Sequence, residues 1–354
     1  YYYNEIAFNE GYEKIIKIIK YANQTRFYSS LFKENNINIE SMTYDDFRKI
    51  PYLTKEVYRN NNFNIIKSSV LSGLNVSDFN KQYNMDDKDE MLSKYNLMLK
   101  ITSGSTGKPL EVIKSKNDNS REYTALNYFR KKIYKVDLTR PFVWVWPVST
   151  CFISEVSSYN KKISYDNNGY KYLISAFNDK EFRMLTELCI NNCVKWITSS
   201  PSMLYNYSKY LIEHHINMGL NYIECHSEPL LPFQKKEIQK AFGIEPVNVY
   251  SSNEVQFMGI TCPNNHMHIL ENNVFIEVEK NEYGYDEIIV TSLNCHDSIF
   301  LRYRIGDCAH IYQPDEIDNC IYNKSRIIEL KNYRNNDLAR SKNKGEKFEP
   351  HLRS

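Results

Sequence analysis

ITSGSTGKPLEV, Ile101 to Val112, sets a run of hydroxyls, two glycines and a lysine between apolar ends. Gly104 and Gly107 let the backbone adopt positive φ and approach an anion closely, while Thr102, Ser103, Ser105, Thr106 and Lys108 supply hydroxyl and ammonium donors. That is the chemistry of a phosphate cradle. It is not a P-loop, because Thr102 stands at the first glycine position and Pro109 follows the lysine where Ser or Thr would hold Mg²⁺. It is not a nucleophile elbow either, since neither Ser103 nor Ser105 is flanked by glycines at the required spacing. Taken alone, such a run fits a polar hairpin loop equally well, so the remainder of the chain decides.

A length of 354 residues is enough for a sizeable core in two or three subdomains. The formal charge of +2 and the scattering of lysines among acidic residues provide no field for nucleic acid. The 29 tyrosines accompany abundant Asn, a compositional bias that makes aromatic content poor grounds for base stacking. No apolar run approaches a membrane span and no signal peptide is recognisable, which predicts a cytoplasmic enzyme with no membrane partner. Eight cysteines without regular spacing predict thiols rather than a disulfide framework. The opening YYYNE lacks an initiator Met and points to a piece of a longer protein.

Tyr12, Ile15, Ile16 and Ile19 follow helical spacing and predict an amphipathic helix over Gly11 to Gln24. Thr43 to Arg59 predicts two short helices broken at Pro51, and Leu71 to Glu90, rich in Asn, Asp and Ser, a surface excursion. Beyond the glycine-rich run, helix is predicted over Ser115 to Lys132, Lys180 to Asn191, Pro201 to His215 and Phe233 to Phe242. Strands are predicted at Phe142 to Val148, Val194 to Ser199 and Pro246 to Tyr250. Strand and helix in alternation argue a parallel α/β sheet. From Val274 the pattern VFIEVEK, EIIVTSL and FLRYRIG alternates, predicting a meandering β region.

TSGSTGKP resembles the phosphate loop of the adenylate-forming ligases, and further segments match in order: Glu228 in HSEPL, Tyr250 to Glu254 in YSSNE, Arg302 to Asp307 in RYRIGD, Arg334 and Asp337 in YRNND. IPYLTKEVYRNN, Ile50 to Asn61, resembles the phenylacetate-CoA ligase and capsule-biosynthesis branch. The resemblance spans about residues 50 to 351. It implies an α/β fold with two βαβ-rich subdomains plus a smaller β subdomain. It also implies ATP-dependent activation of a carboxylic acid as acyl-AMP, then transfer to CoA, a carrier-protein thiol or an amine. In that light Thr102 to Lys108 would hold phosphates, Tyr250 would stack on adenine beside Ser251 and Ser252, Glu254 would coordinate Mg²⁺, and Asp307 would accept hydrogen bonds from the ribose. Lys108 and Glu254 are the candidate catalytic pair. Glu228, Pro229, Arg326 and Arg334 are further candidate ATP or AMP contacts, and Asp337 is the candidate hinge.

Trp144 and Trp146 alternate within an apolar run, as a buried strand would; the resemblance places them near the acyl pocket. A turn paired with Arg302 or Arg304 is the plainer reading of Asp307. Ser251 stands where the family has Gly and Asn253 where it has Ser or Thr, so the acid itself cannot be carried over. Cys262, His268 and Cys320 resemble a zinc cluster of some relatives, but Tyr322 replaces the last cysteine, leaving His266, His310 or Cys308 as fourth ligands; a complete zinc site is not expected. A homodimer stays open. A different class of function, a non-catalytic nucleotide-binding module, is opposed by Lys108, Glu254 and Asp307.

The motifs divide the chain into an N-terminal helical and scaffold region (1–98), an adenylation core (99–332), and a hinge with the start of a C-terminal domain (333–354). In the family that domain brings a lysine to the adenylating transition state, a contribution of about 3–4 kcal/mol for one such group. The 354-residue chain is therefore expected to bind nucleotide but to adenylate slowly. Pyrophosphate exchange by this chain and by one extended by about 100 residues checks this; equal rates would refute it.

Overall fold

The computed structural model describes residues 2–82, 84–102, 109–147, 162–166, 169–313 and 325–334. Short helices come first: α1 (Tyr2–Glu10), α2 (Tyr12–Ala22), α3 (Arg26–Glu34), α4 (Tyr44–Arg48), α5 (Lys55–Asn61), α6 (Val76–Lys81) and α7 (Met85–Ser93). Side-chain caps explain where several begin. Thr25, Thr43, Thr54 and Asn75 each accept from a backbone N–H of the first turn, and Thr43 forms a reciprocal box with Asp46. The stripe of α2 buries Ile15, Ile18 and Ile19 in a core shared with Phe8, Phe47 and Phe275. Leu71 to Glu90 lies largely at the surface, yet it is not irregular: it holds α6, capped by Asn75, and part of α7, and Phe79 packs with Phe63, Leu92 and Leu97 in a small core.

Two antiparallel strands, β1 (Leu97–Ile101) and β2 (Glu111–Ser115), form a separate hairpin, and Ser115 caps α8 (Lys116–Lys132). There follow β3 (Phe142–Pro147), β4 (Ile163–Asp166), β5 (Gly169–Ile174), α9 (Asp179–Asn191), β6 (Trp196–Ser199), α10 (Pro201–Glu213), β7 (Tyr222–Cys225), α11 (Pro232–Phe242) and β8 (Val247–Ser252). The chain continues through β9 (Gln256–Thr261), β10 (Met267–Ile269), β11 (Val274–Lys280), β12 (Asp286–Ser292), β13 (Tyr303–Tyr312) and β14 (Ile327–Arg334).

Apart from the hairpin, the strands form one 12-stranded sheet in the order β11-β12-β13-β14-β10-β9-β8-β7-β6-β3-β5-β4. Strands β5, β3, β6, β7 and β8 run parallel, and antiparallel pairing begins at β8–β9. The alternating β region thus joins the same sheet. Alternation along β3 sends Val143 and Val145 into the core beneath α9, α10 and α11. Trp144 and Trp146, two residues apart, stay half-buried on the opposite face.

That opposite face carries a buried polar cluster. Arg130 of α8 forms a two-armed ion pair with Glu224 of β7, and Tyr222 donates to the same carboxylate at 2.8 Å. Removing one member of such a pair leaves a buried charge uncompensated. His226, just beyond β7, shares a hydrogen bond with Thr198 and lies parallel to Trp144 at 6.2 Å. Burial, opposed by Glu224 and reinforced by Arg130, lowers its pKa from the ordinary 6.5 to about 4.

An imidazole that stays neutral in the fold while the unfolded chain protonates near 6.5 favours folding fully above that pH. The contribution disappears as pH falls to about 4, and a shift of this size corresponds to about 3 kcal/mol. His296, likewise lowered to about 4, acts in the same direction. The denaturant midpoint is expected to fall across this window, with a shallower fall in His226→Gln; equal slopes for the two chains would contradict the assignment.

Candidate active site

The direction of the sheet changes at β8, and the connection to β9 is a tight turn through Asn253, Glu254 and Val255. Ser252 Oγ accepts from Val255 N at 3.2 Å, and Gln256 closes the turn at φ +48°, a region costly for a residue with a Cβ. Tyr250, Ser251 and Ser252 are half-buried, and Glu254 is buried. The YSSNE segment therefore lies at the carboxyl end of the last parallel strand, where open α/β sheets bind ligands.

Asp307 arrives from the other side of the sheet. Gly306 adopts φ +89°, accessible without strain only to glycine, and the register of β13 against β14 shifts next to it. The Tyr250 hydroxyl donates to Asp307 Oδ2 at 2.8 Å. The turn paired with arginine is not what forms: Arg302 binds Glu277, Glu279 and the carbonyls of Arg48 and Ile50, and Arg304 binds Glu287. Tyr303, between them, donates to Glu254 Oε1 at 2.7 Å. Burial first, then Glu254, drives the Tyr303 pKa far above the usual tyrosine range, so the hydroxyl is a committed donor. RYRIGD and YSSNE thus meet through Tyr303–Glu254 and Tyr250–Asp307.

The strands flanking residues 103–108 join them. Thr102 pairs with Leu110 through N–H to carbonyl at 3.1 Å and through Leu110 N to Thr102 Oγ1 at 3.0 Å. Asn253 Nδ2 donates to the carbonyl of Ile101 at 2.7 Å. The side chain that departs from the family pattern therefore ties the turn to β1. Ser103, Gly104, Ser105, Thr106, Gly107 and Lys108 lie outside the described residues, as do Cys320 and Asp337.

Other candidates take different places. Glu228 is exposed and accepts from the backbone N–H and hydroxyl of Ser202 in the first turn of α10; Pro229 beside it is exposed. Trp144 and Trp146 contact each other at 5.7 Å and both contact His226. Arg326 is buried, paired with Glu271 and donating to the Ile276 carbonyl, and no contact joins it to Tyr250 or Asp307 among the described residues. Arg334 ends β14 in register with Asp307. Sequence reading missed Tyr303, although it lies inside RYRIGD, and it missed His226, whose only signal is adjacency to Glu228.

Cys262, His266 and His268, around the β9–β10 turn, place one ligand atom each within 4.8 Å of one another. His268 Nδ1 contacts the Ser325 carbonyl at 3.1 Å, fixing the tautomer with its lone pair on Nε2. Burial holds its pKa below the ordinary value, opposed by the Ser325 contact and aided by His266. Of the alternative fourth ligands, His266 joins the cluster. Cys308 lies in β13 near Asn281, and His310 is exposed against Tyr312.

No family model matches the chain. Protein CapK of Staphylococcus aureus is 24% identical over 360 residues, covering 95% of this chain and 69% of CapK. Indoleacetate–lysine synthetase of Pseudomonas savastanoi is 32% identical over 114 residues, 31% of this chain and 28% of that enzyme. An open conformation of 2-hydroxyisobutyryl-CoA ligase, solved with 2-HIB-AMP and CoA, matches with a TM-score of 0.60 at 13% identity, over 90% of this chain and 72% of that one. The fold is that of the adenylate-forming ligases. Within this ligase fold, two segments far apart in sequence, YSSNE and RYRIGD, meet each other, and YSSNE is tied to Ile101 at the end of β1. No helix among the described residues is long and apolar enough to cross a membrane.

The cysteine and histidine cluster sits on the antiparallel side of the same ligase fold. Its three described donors fall one short of a closed zinc tetrahedron. Purified, dialysed chain is expected to hold less than one Zn²⁺, and Cys262→Ser to remove what remains. One tightly held Zn²⁺ per chain by metal analysis would show that a further ligand completes the site.

Proposed function

We propose that the chain binds ATP and a carboxylic acid between the segment 103–108 and RYRIGD and joins them as acyl-AMP, releasing pyrophosphate. The observation that carries this reading is the Tyr250–Asp307 hydrogen bond of 2.8 Å at the carboxyl end of β8. It fixes an aromatic face and a carboxylate side by side, which suits an adenine and the ribose attached to it. A carboxylate oxygen of the acid attacks the α-phosphorus while the bond to the bridging oxygen breaks, and the electron pair of that bond leaves with pyrophosphate. Glu254 offers a buried hard oxygen, with the Tyr303 hydroxyl on Oε1 steadying the group, which fits Mg²⁺ completed by phosphates and waters. Such an ion would neutralise the leaving phosphates.

The loop residues Thr102 to Lys108 supply the phosphate donors, with Lys108 on the leaving group. Trp144 and Trp146 form one wall of the acyl pocket. Glu228, Pro229, Ser251, Ser252, Arg326 and Arg334 are supporting contacts to test after these, and Asp337 is the hinge. The second substrate is CoA, a carrier-protein thiol or an amine, and the three regions 1–98, 99–332 and 333–354 remain the proposed division of the chain.

Asp307→Ala is expected to weaken AMP binding by about 1–3 kcal/mol, because ribose hydroxyls lose a charged acceptor. Lys108→Ala should leave AMP binding unchanged and weaken ATP. Calorimetry showing unaltered AMP affinity in Asp307→Ala, or equal losses for both nucleotides in Lys108→Ala, would refute the assignment.

A further inference from the structure

Lys114 is fully buried on β2, the strand that follows residues 103–108 in the chain. Its ammonium lies 2.8 Å from Glu122 Oε1 and 2.7 Å from Oε2, and it donates at 3.0 Å to the backbone carbonyl of Glu254. The plain account is charge neutralisation of Glu122. That account leaves the third contact unused, and a buried ion pair is by itself a poor source of stability compared with apolar side chains of similar size.

The turn that Lys114 grips is not relaxed on its own. Gln256 closes it at φ +48°, and Gln256 Nε2 is buried without a hydrogen-bond partner; such a conformation persists only where its surroundings impose it. Three groups do so. Asn253 is tied to the carbonyl of Ile101 on β1 at 2.7 Å, the Glu254 carbonyl to Lys114 on β2, and the Glu254 carboxylate to Tyr303 on β13. Both strands of the hairpin that carries the phosphate-loop segment are thereby fastened to successive residues of one turn.

We propose that Lys114 is a positioning residue for Glu254: from β2 it holds the main chain of the turn that carries this carboxylate. This rests on the proposed reading of Glu254 as the residue that meets magnesium-bound ATP. AMP, held by Tyr250 and Asp307, lies outside its reach.

The variants Lys114→Met and Lys114→Met/Glu122→Leu separate positioning from neutralisation. The single change strands the Glu122 charge and lowers the melting temperature, whereas the double change removes both charges and recovers most of it. If Lys114 positions Glu254, both variants bind ATP about tenfold more weakly in the presence of Mg²⁺, the effect of losing one charge-assisted hydrogen bond, while AMP affinity without metal changes less than about twofold. A stable double variant that binds ATP with Mg²⁺ as tightly as the parent chain overturns the proposal and leaves the proposed function intact. So does equal weakening of ATP and AMP, which would mean general distortion. A parent chain that binds neither nucleotide overturns both.

Discussion

Strand β8 has to satisfy two neighbours that run in opposite directions, and the architecture of the site follows from that constraint. Its parallel bond to β7 requires a crossover, which α11 provides, whereas its antiparallel bond to β9 permits a turn of a few residues. The chain therefore reverses at the carboxyl edge of the parallel strands, and the residues of the reversal are Asn253, Glu254 and Val255. The Glu254 carboxylate placed there inherits the rigidity of two strands instead of the freedom of a loop.

The neighbourhood of that carboxylate is ordered by where the arginines go. Arg302 and Arg304 could have neutralised Asp307, yet each is paired instead with glutamates on β11 and β12. Arg302 also satisfies the carbonyls of Arg48 and Ile50, and Leu53 pairs on both sides of Tyr303 through the Arg302 carbonyl and the Arg304 N–H. The segment IPYLTKEVYRNN thus completes the edge of β13, and its Tyr58 hydroxyl accepts from Ile113 of β2 at 2.9 Å. A stretch far from both in sequence thus braces β13 and the β1–β2 hairpin.

Much of this was legible in the residues. Helical spacing, Pro at the start of α10 and alternation from Val274 onward placed α2, α8 to α11 and β11 to β13, because each signal is local. The partnership of Tyr250 with Asp307 was legible only as two motifs in order; 57 positions separate them, and no local pattern encodes that contact. Lys114 was illegible for a different reason. A lysine in a short strand reads as a solvent-facing residue, and only the arrival of Glu122 and Glu254 makes burial tolerable. Asn253 read as a departure from a pattern, and its amide proves to be a tie to β1.

Four strand-to-strand steps, β8-β9-β10-β14-β13, separate Tyr250 from Asp307 within the sheet. In a flat sheet they would stand about 19 Å apart, at about 4.8 Å per step, yet their side chains meet at 2.8 Å. These five strands accordingly curl, and the Tyr250–Asp307 and Tyr303–Glu254 bonds hold β13 to β8 and its turn across the curl. Arg334, where β14 ends, lies in register with Asp307, so the end of β14 is one strand away from the carboxylate that Tyr250 holds and on the far side of β8 from the parallel strands.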